Sequence, residues 1–200
     1  LAFTFLEDVL SFSITCSTYG IPKDIPITEE TQQFPINPYG KSKLFVEQII
    51  KDLGYSSNLK SVILRYFNAA GAMPDSSFGE LHNPETHIIP LVIQTALGIK
   101  KELLVYGNDY ETKDGTCIRD YIHVCDLADA HVKSLSIFSK DKFLVHNKTN
   151  EVNKNNCCVF NLGNGKEISI KDIIKTVEKI SNKKIKIKYT LRREGDPPNL

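Results

Sequence analysis

The chain has 200 residues, of which 41% are hydrophobic and 24% are charged, the mixture of an ordinary globular protein. Its 25 Lys and Arg residues against 24 Asp and Glu residues give a formal net charge of +1. This balance excludes a chain built mainly to bind phosphate backbones or anionic membrane surfaces. No apolar run approaches the roughly 20 residues of a membrane-spanning helix. We therefore expect neither nucleic acid nor membrane as a partner.

The cysteines, histidines and chain ends lead to further expectations. The five cysteines form no C-x-x-C pair, so we expect no disulfide framework and no zinc site, and a reducing, cytoplasmic location. The five histidines show no metal-ligand spacing either, so the sequence predicts no metal site. The chain begins at Leu1, and its first residues lack the basic start of a signal peptide. We expect part of a longer protein, without a signal peptide.

The first third of the chain predicts a strand–helix–strand unit. Residues 9–15 are apolar and β-branched, as in a buried strand, and residues 61–68 form a second such run. Between them the sequence predicts a helix over 38–53, with Pro38 in its first turn. Its core face is expected to carry the apolar residues Leu44, Phe45, Ile49 and Leu53. Parallel strands joined in this way bind ligands at their carboxyl ends.

The rest of the chain also alternates helices and strands, which indicates the α/β class. A polar tract at 147–156 predicts a solvated loop. Apolar spacing predicts the remaining elements, which are helices over 87–97, 127–138 and 167–180 and strands over 103–107, 157–163 and 184–189.

Tyr39 and Lys43 are the first candidates for chemistry. They are four residues apart in the predicted helix and therefore share a face. A nearby ammonium favours the tyrosinate, so we expect a lowered pKa for Tyr39 and a role as general base. The preceding strand ends at Thr15, whose hydroxyl could bind the same substrate oxygen.

The Y-x-x-x-K spacing is weak evidence alone, because chance supplies about one such pair in a chain of this composition. Tyr19 and Lys23 also match it, but Gly20 and Pro22 make a helix improbable there. The structural alternative for Tyr39 is a surface tyrosine packed against a lysine stem.

Longer motifs give a resemblance over nearly the whole chain. The chain resembles the UDP-glucose 4-epimerases, a family of extended short-chain dehydrogenase/reductases, in the segments SITCSTYG, NPYGKSKLFVEQ, LRYFNAAGA, HNPETHIIPLV, VYGNDYETKDGTCIRDYIHVCDLADAH, FNLGNG and RREGDPPNL. The resemblance implies a Rossmann-like doubly wound parallel sheet, of which this chain holds the C-terminal half, and a smaller α/β substrate-binding domain. It places the NAD-binding domain at 1–68 and about 120–162, and the UDP-sugar-binding domain at about 69–119 and 163–200.

The same resemblance implies an NAD-dependent isomerase, commonly a homodimer, that interconverts UDP-glucose and UDP-galactose through a transient 4-keto sugar. Tyr39 would be the base, Lys43 would tune it and bind the nicotinamide ribose, and Thr15 would bind the sugar's O4. Tyr66 and Phe67 would lie near the nicotinamide. Because no G-x-x-G-x-x-G turn occurs in this chain, we expect it to lack much of the NAD site.

The implied substrate contacts are mostly in the second domain. Asn68 would touch the UDP phosphates. His87 and Ile88 fall where relatives contact the nucleotide, although many relatives have Asn at the first position. The strand residues Leu104, Val105 and Tyr106 would flank the uracil, with Tyr106 stacking on it.

Charged side chains would bind the rest of the nucleotide. Arg119 and Arg193 would neutralise the pyrophosphate, a role suited to guanidinium groups. Asp196 would accept a hydrogen bond from a ribose hydroxyl. The structural alternative for Arg119 is a salt bridge with Asp120.

Alternatives remain within and beyond this family. The 4,6-dehydratases place Asp-Glu after the active-site Thr, whereas Cys16 and Ser17 stand here. UDP-xylose and UDP-glucuronate 4-epimerases and a non-catalytic nucleotide-sugar-binding relative stay open. Leu200 leaves acceptance of N-acetylated sugars undecided. His123, between two apolar residues, is expected to be a hydrogen-bonded structural histidine.

Overall fold

The computed structural model describes residues 3–6, 9–57, 59–138 and 156–200. The predicted polar loop lies outside these ranges except for its last residue. No helix in the described part is long and apolar enough to cross a membrane. The chain divides into two compact units, one of Leu1–Ala69 with Ile122–Asn164 and one of Ala70–Tyr121 with Gly165–Leu200.

Ten strands and four α-helices are described. The strands are β1 (Phe3–Leu6), β2 (Val9–Thr15), β3 (Lys60–Tyr66), β4 (Asn68–Ala70), β5 (Leu103–Tyr106), β6 (Ile118–Arg119), β7 (Tyr121–His123), β8 (Cys157–Leu162), β9 (Ile168–Ser169) and β10 (Ile187–Thr190). The helices are α1 (Pro38–Ser56), α2 (Ile88–Ala96), α3 (Val124–Leu135) and α4 (Ile170–Ser181).

The first unit is built on a four-stranded sheet in the order β1-β2-β3-β8. Strands β2, β3 and β8 are parallel, and α1 connects the first two. This confirms the predicted strand–helix–strand unit. The sequence did not predict β1, which pairs antiparallel with β2 and gives it a second hydrogen-bonded neighbour.

Two apolar clusters contain side chains from opposite faces of this sheet. In one, Ile50 of α1 packs with Phe12, Ile63 and Cys157. In the other, Cys158 packs with residues that include Phe138, just after α3. Adjacent strand residues point to opposite faces, so the two cysteines divide between these clusters. A mainly parallel sheet covered on both faces is the predicted α/β arrangement.

The predicted core face of α1 is wrong. Phe45, Ile49 and Leu53 are 69%, 57% and 46% exposed, respectively. The buried face instead carries Ile50, two glycines and the carboxylate Glu47, which is fully buried. A buried carboxylate with a buried cationic partner takes a place that apolar counting assigns to a hydrophobic side chain.

The second unit has its own core. Strands β5 and β10 form a parallel pair, and α2 and α4 contribute to the same apolar cluster, which includes Val92, Leu103, Val105, Ile173 and Ile174. Helix α4 begins three residues after the predicted start because Ser169 and Asp172 form a capping box at its N-terminus. Strands β6 and β9 pair antiparallel.

Candidate active site

Tyr39 lies in the first turn of α1. Asn37 caps this helix, its Oδ1 accepting a hydrogen bond from the Gly40 amide at 2.8 Å. Pro38 occupies the first helical position, where its missing amide hydrogen costs nothing. These neighbours fix the starting point of the helix and hence the position of the tyrosine.

Gly40 allows this first turn to pack closely on the end of β2. A Cβ at this position would lie 2.5 Å from the main-chain oxygen of Ser17 and 2.9 Å from Cβ of Pro35. Ser17 belongs to a short 3₁₀ helix, Cys16–Thr18, that directly follows β2. Glycine therefore permits a backbone approach that a side chain would block.

The hydroxyl groups of Thr15 and Tyr39 meet at the carboxyl end of β2. Their side chains form a hydrogen bond, and about half of the tyrosine surface is exposed. Thr15 is itself buried, and its Oγ1 accepts from the Ser17 amide at 3.2 Å and donates to the Ser17 hydroxyl at 3.2 Å. The threonine is thus held by the backbone turn that follows its strand.

Lys43 accompanies Tyr39 but does not lower its pKa in this structure. The Lys43 Nζ lies over the tyrosine ring, 5.2 Å from its centroid. Burial raises the pKa of Tyr39 above its ordinary value, and the hydrogen bond with Thr15 only partly opposes this. The predicted lowering is therefore wrong here, because the ammonium lies over the ring and burial outweighs the hydrogen bond.

Tyr66 joins this group from the neighbouring strand. It pairs in register with Thr15 at the ends of β3 and β2, and burial raises its pKa, with an added effect from Tyr39. Phe67 follows directly and donates its amide to the Leu162 carbonyl at 3.1 Å. The structure thus brings Thr15, Tyr39 and Tyr66 together at the predicted sheet edge.

A buried ion pair supports this region, and the sequence analysis missed it. Arg65 Nε donates to Glu47 Oε2 at 3.0 Å, and its Nη2 donates to Oε1 at 2.5 Å. Burial would raise the pKa of Glu47, but the hydrogen bonds and charges of Arg65 and Lys51 hold it below its ordinary value. Two signals were available in the sequence. Arg65 is a charged residue in a mostly apolar strand, and Glu47 is a charged residue on the inner face of a helix.

The tyrosine of the second Y-x-x-x-K match, Tyr19, is bonded to this ion pair. Tyr19 is buried, accepts a hydrogen bond from Arg65 Nη1 at 2.6 Å, and donates to Asn161 Oδ1 at 2.7 Å. As predicted, it lies outside any α-helix. Its hydroxyl is therefore committed to a structural network.

The same network anchors the loop that leads into α1. Arg65 Nη1 donates to the Glu29 carbonyl at 3.1 Å, and the Glu29 carboxylate accepts from the Asn161 amide at 2.7 Å. Gln33 donates to Glu47 Oε2 at 3.1 Å. Because this loop ends at the cap of α1, the network holds the segment that presents Tyr39.

The second unit places the three predicted uracil-binding residues on strand β5. Tyr106 is the last residue of β5, and the Arg193 guanidinium lies over its ring, 4.1 Å from the centroid. Leu104 is half exposed, but Val105 points into the core and is only 2% exposed. Strand residues alternate between faces, so any contact of Val105 with a base would be through its backbone, and the role of the three residues beside a uracil stays a prediction.

Arg119 is paired with a predicted ligand residue. Its Nη2 contacts the Asp196 carboxylate, and its Nη1 donates to the Ile118 carbonyl at 2.6 Å. The neighbouring Asp120 instead accepts from the Gly165 amide at 2.8 Å. Arg119 and Asp196 therefore form an ion pair.

The remaining predicted residues lie at the starts of helices or strands. His87 directly precedes α2, of which Ile88 is the first residue, and His87 Nδ1 contacts the Glu80 carboxylate. Asn68 is the first residue of β4. His123 Nδ1 accepts from the Cys125 amide at 3.2 Å and caps α3, which confirms its predicted structural role.

Comparison with known proteins identifies the family. Residues 8–200 match the GDP-mannose 4,6-dehydratase family. The chain belongs to this family. The family name describes a 4,6-dehydratase, whereas relatives such as the Rhizobium enzyme are named epimerases.

Individual relatives are named UDP-glucose 4-epimerases. The enzyme of Rhizobium leguminosarum bv. trifolii is 47% identical over 189 residues, which cover 94% of this chain and 54% of the relative. The Brucella ovis enzyme, crystallised with NAD, is 43% identical and superposes with a TM-score of 0.82. The match covers 95% of this chain and 55% of the Brucella ovis chain. The predicted resemblance to UDP-glucose 4-epimerases is confirmed, and the chain spans about half the length of these relatives.

A further structure widens the range of known ligands in the family. The UDP-glucose 4-epimerase of Stenotrophomonas maltophila is 34% identical, with a TM-score of 0.84 over 96% of this chain and 54% of that one. It was crystallised with NAD and formylated UDP-arabinopyranose. One relative of this chain therefore binds a formylated UDP-linked pentose.

Proposed function

We propose that the protein containing this chain is an NAD-dependent epimerase that acts at C4 of UDP-glucose and UDP-galactose. The observation that carries the proposal is the hydrogen bond between Thr15 and Tyr39 at the carboxyl end of β2, beside Lys43. A pair of hydroxyl groups at the place where parallel sheets bind their ligands is suited to removing a proton from an alcohol. The names of the relatives support the same reaction.

The first unit has residues suited to the nicotinamide end of NAD. Tyr39 is accessible, Lys43 carries a nearby cation, and Thr15 and Tyr66 end adjacent parallel strands. These residues, with Phe67, would hold that end of the cofactor. The chemistry that NAD supplies when bound is reversible hydride acceptance at the sugar's C4, which gives a transient 4-keto sugar.

Tyr39 would hold and return the proton of the sugar's 4-hydroxyl at its Oη. Burial raises the pKa of Tyr39 in this structure, so the tyrosinate requires added positive charge near the oxygen. Lys43 could supply it by moving from the ring face towards Oη, because an ammonium close to a phenolate favours the ionised form. The hydrogen bond with Thr15 already acts in that direction.

The second unit would hold the UDP group. Arg193 over Tyr106 offers a cation beside a flat aromatic surface, which suits a pyrophosphate next to a base. Arg119 would bind phosphate as a pair with Asp196, whose free hydrogen-bonding capacity could meet a ribose hydroxyl. Further contacts are proposed for Asn68, His87, Ile88, Leu104 and Val105.

A UDP-pentose is the second candidate substrate, because one relative was crystallised with formylated UDP-arabinopyranose. A 4,6-dehydratase is disfavoured. Cys16 is buried and the Ser17 hydroxyl is bonded to Thr15, so the two residues after Thr15 offer no carboxylic acid to protonate a leaving hydroxyl. Assays with UDP-galactose, UDP-xylose and UDP-arabinose distinguish these substrates by product.

We also propose a homodimer in a reducing, cytoplasmic compartment. All five cysteines are free thiols. Phe45, Ile49 and Leu53, at successive i, i+4 positions, leave an apolar stripe exposed on α1, which a second copy could cover. Light scattering of the full-length protein tests this, because Ile49→Glu should shift the measured mass from dimer to monomer.

Tyr39→Phe in the full-length protein tests the proposed reaction. It removes the hydroxyl that would carry the proton, so conversion of UDP-galactose to UDP-glucose should fall by about 10²–10⁴-fold, with little change in the unfolding temperature. Tyr55→Phe, an exposed tyrosine near the end of the same helix, is the matched control. Unchanged turnover in Tyr39→Phe would rule out the assigned base.

A further inference from the structure

Four metal-ligating side chains converge in the second unit, away from the residues assigned to proton transfer. Glu80, His82, Glu85 and His87 each offer one donor atom, and these atoms all lie within 4.8 Å of one another. The four residues belong to one irregular segment just before α2. Their spacing matches no common metal-binding motif, so the sequence predicted no site.

The distances suit a four-coordinate ion. His82 Nδ1 lies 3.1 Å from Glu80 Oε1 and 3.8 Å from Glu85 Oε1. His87 Nδ1 lies 3.9 Å from Glu85 Oε1 and contacts Glu80 Oε1. Zinc bonds of about 2.0–2.2 Å in a tetrahedron place neighbouring ligand atoms roughly 3.3–3.6 Å apart. The other pairs are already near that separation, whereas His87 Nδ1 and Glu80 Oε1 would have to move apart to admit an ion.

One ligand is already fixed by the backbone. Glu85 Oε1 accepts hydrogen bonds from the Thr86 amide at 2.7 Å and the His87 amide at 2.8 Å, and its side chain is only 5% exposed. The His82 and His87 rings are tilted by 57° with centroids 4.9 Å apart. This carboxylate is therefore held in place while both Nδ1 atoms approach the glutamate oxygens.

The two carboxylates of the cluster have no basic partner other than histidine in the described part of the chain. Within the described residues, the ion pairs of Glu80 and Glu85 involve histidines alone, with no Lys or Arg. A divalent cation would neutralise both carboxylates and accept the imidazole lone pairs.

We propose that Glu80, His82, Glu85 and His87 bind one divalent transition-metal ion, with Zn²⁺ the best match. Two imidazole nitrogens and two carboxylate oxygens form a zinc-type ligand set, whereas Mg²⁺ and Ca²⁺ prefer oxygen ligands. The ion closes the segment over 80–87 immediately before α2. His87 occupies the N-cap position of that helix without a side-chain capping bond. Metal ligation through Nδ1 gives its ring a structural role and leaves Nε2 for the nucleotide contact proposed above.

The metal site does not rest on the proposed epimerase activity, and its test measures binding directly. The full-length protein, without an affinity tag, is stripped with EDTA, dialysed and titrated with ZnCl₂ by calorimetry. Mass spectrometry counts the zinc retained per chain. One equivalent should bind, and Glu80→Gln and His82→Ala should each weaken binding by about a hundredfold or more, since even indirect supporting contacts affect metal affinity 10–100-fold.

His123→Asn is the matched control. His123 is exposed, lies outside the cluster and caps α3, a role that Asn fills equally well, so its zinc affinity should equal that of the wild type. Co²⁺ used as the probe should give the intense visible absorption of a four-coordinate ion in the wild type and the control but not in the two cluster variants. The site would be ruled out if the wild type bound no tight equivalent of zinc. It would also be ruled out if Glu80→Gln and His82→Ala bound zinc as tightly as the wild type.

Discussion

Gly40→Ala tests whether the close approach of α1 to the end of β2 positions the reacting hydroxyls. The added Cβ would lie 2.5 Å from the Ser17 oxygen, where ordinary contacts begin at 3.4 Å. The first turn of α1 must therefore move by about 0.9 Å. Because Tyr39 and Thr15 lie on the two sides of this contact, their hydrogen bond should lengthen.

A displacement of about 1 Å can reduce turnover by about 10²-fold. Overpacking of this kind also costs about 1–3 kcal/mol of unfolding free energy. We expect kcat for UDP-galactose to fall by about two orders of magnitude while the circular dichroism spectrum is retained. The assay is turnover of the full-length protein together with its urea unfolding curve.

The matched control is Gly79→Ala, whose Cβ would meet its nearest neighbour at an ordinary 3.6 Å. It should leave turnover and stability near wild type. Full activity in Gly40→Ala would refute the positioning argument. So would a loss of activity that appears only together with unfolding, because the defect would then be one of stability alone.

Further predictions concern the two cores. Glu47→Ala leaves Arg65 buried without its partner and should cost about 3–5 kcal/mol in urea unfolding, whereas the double variant Glu47→Leu/Arg65→Met should recover most of this loss. The folded-state pKa of Glu47 is lowered. Its contribution to stability is therefore present above the unfolded-state pKa and is lost as pH falls through the folded-state pKa. The unfolding free energy of the double variant should lack this pH dependence in acid. Val105→Ala should cost about 2 kcal/mol and the exposed Leu104→Ala less than about 1 kcal/mol, and equal losses would contradict the assignment of the two faces of β5.

The local elements were predictable where one simple signal dominated. Buried parallel strands such as β2 and β3 are continuous apolar runs, and a proline after an asparagine cap indicated the start of α1. The spacing of Tyr39 and Lys43 together with the strand end at Thr15 was enough to predict that they lie close to one another. These features depend on neighbours in the chain.

The failures involve partners distant in sequence or an irregular segment of the chain. The core face of α1 was misassigned because Glu47 is stabilised inside by Arg65, a residue 18 positions away. The pKa of Tyr39 was predicted from one neighbouring cation, while burial, which only the fold determines, has the larger effect. The ligand cluster around His82 arises from an irregular segment, whose folding no helical or strand period describes.

The interleaving of the two units has a consequence for biosynthesis. Strand β8 completes the first sheet only after more than half of the second unit has been made, and β10, near the C-terminus, supplies the partner of β5. Neither unit can close its hydrogen-bond ladders early on the ribosome, so both must wait for late segments of the polypeptide. A nascent chain arrested after Tyr121 would expose unpaired strand edges from both, and it should depend on chaperones more heavily than a protein whose units follow one another in sequence.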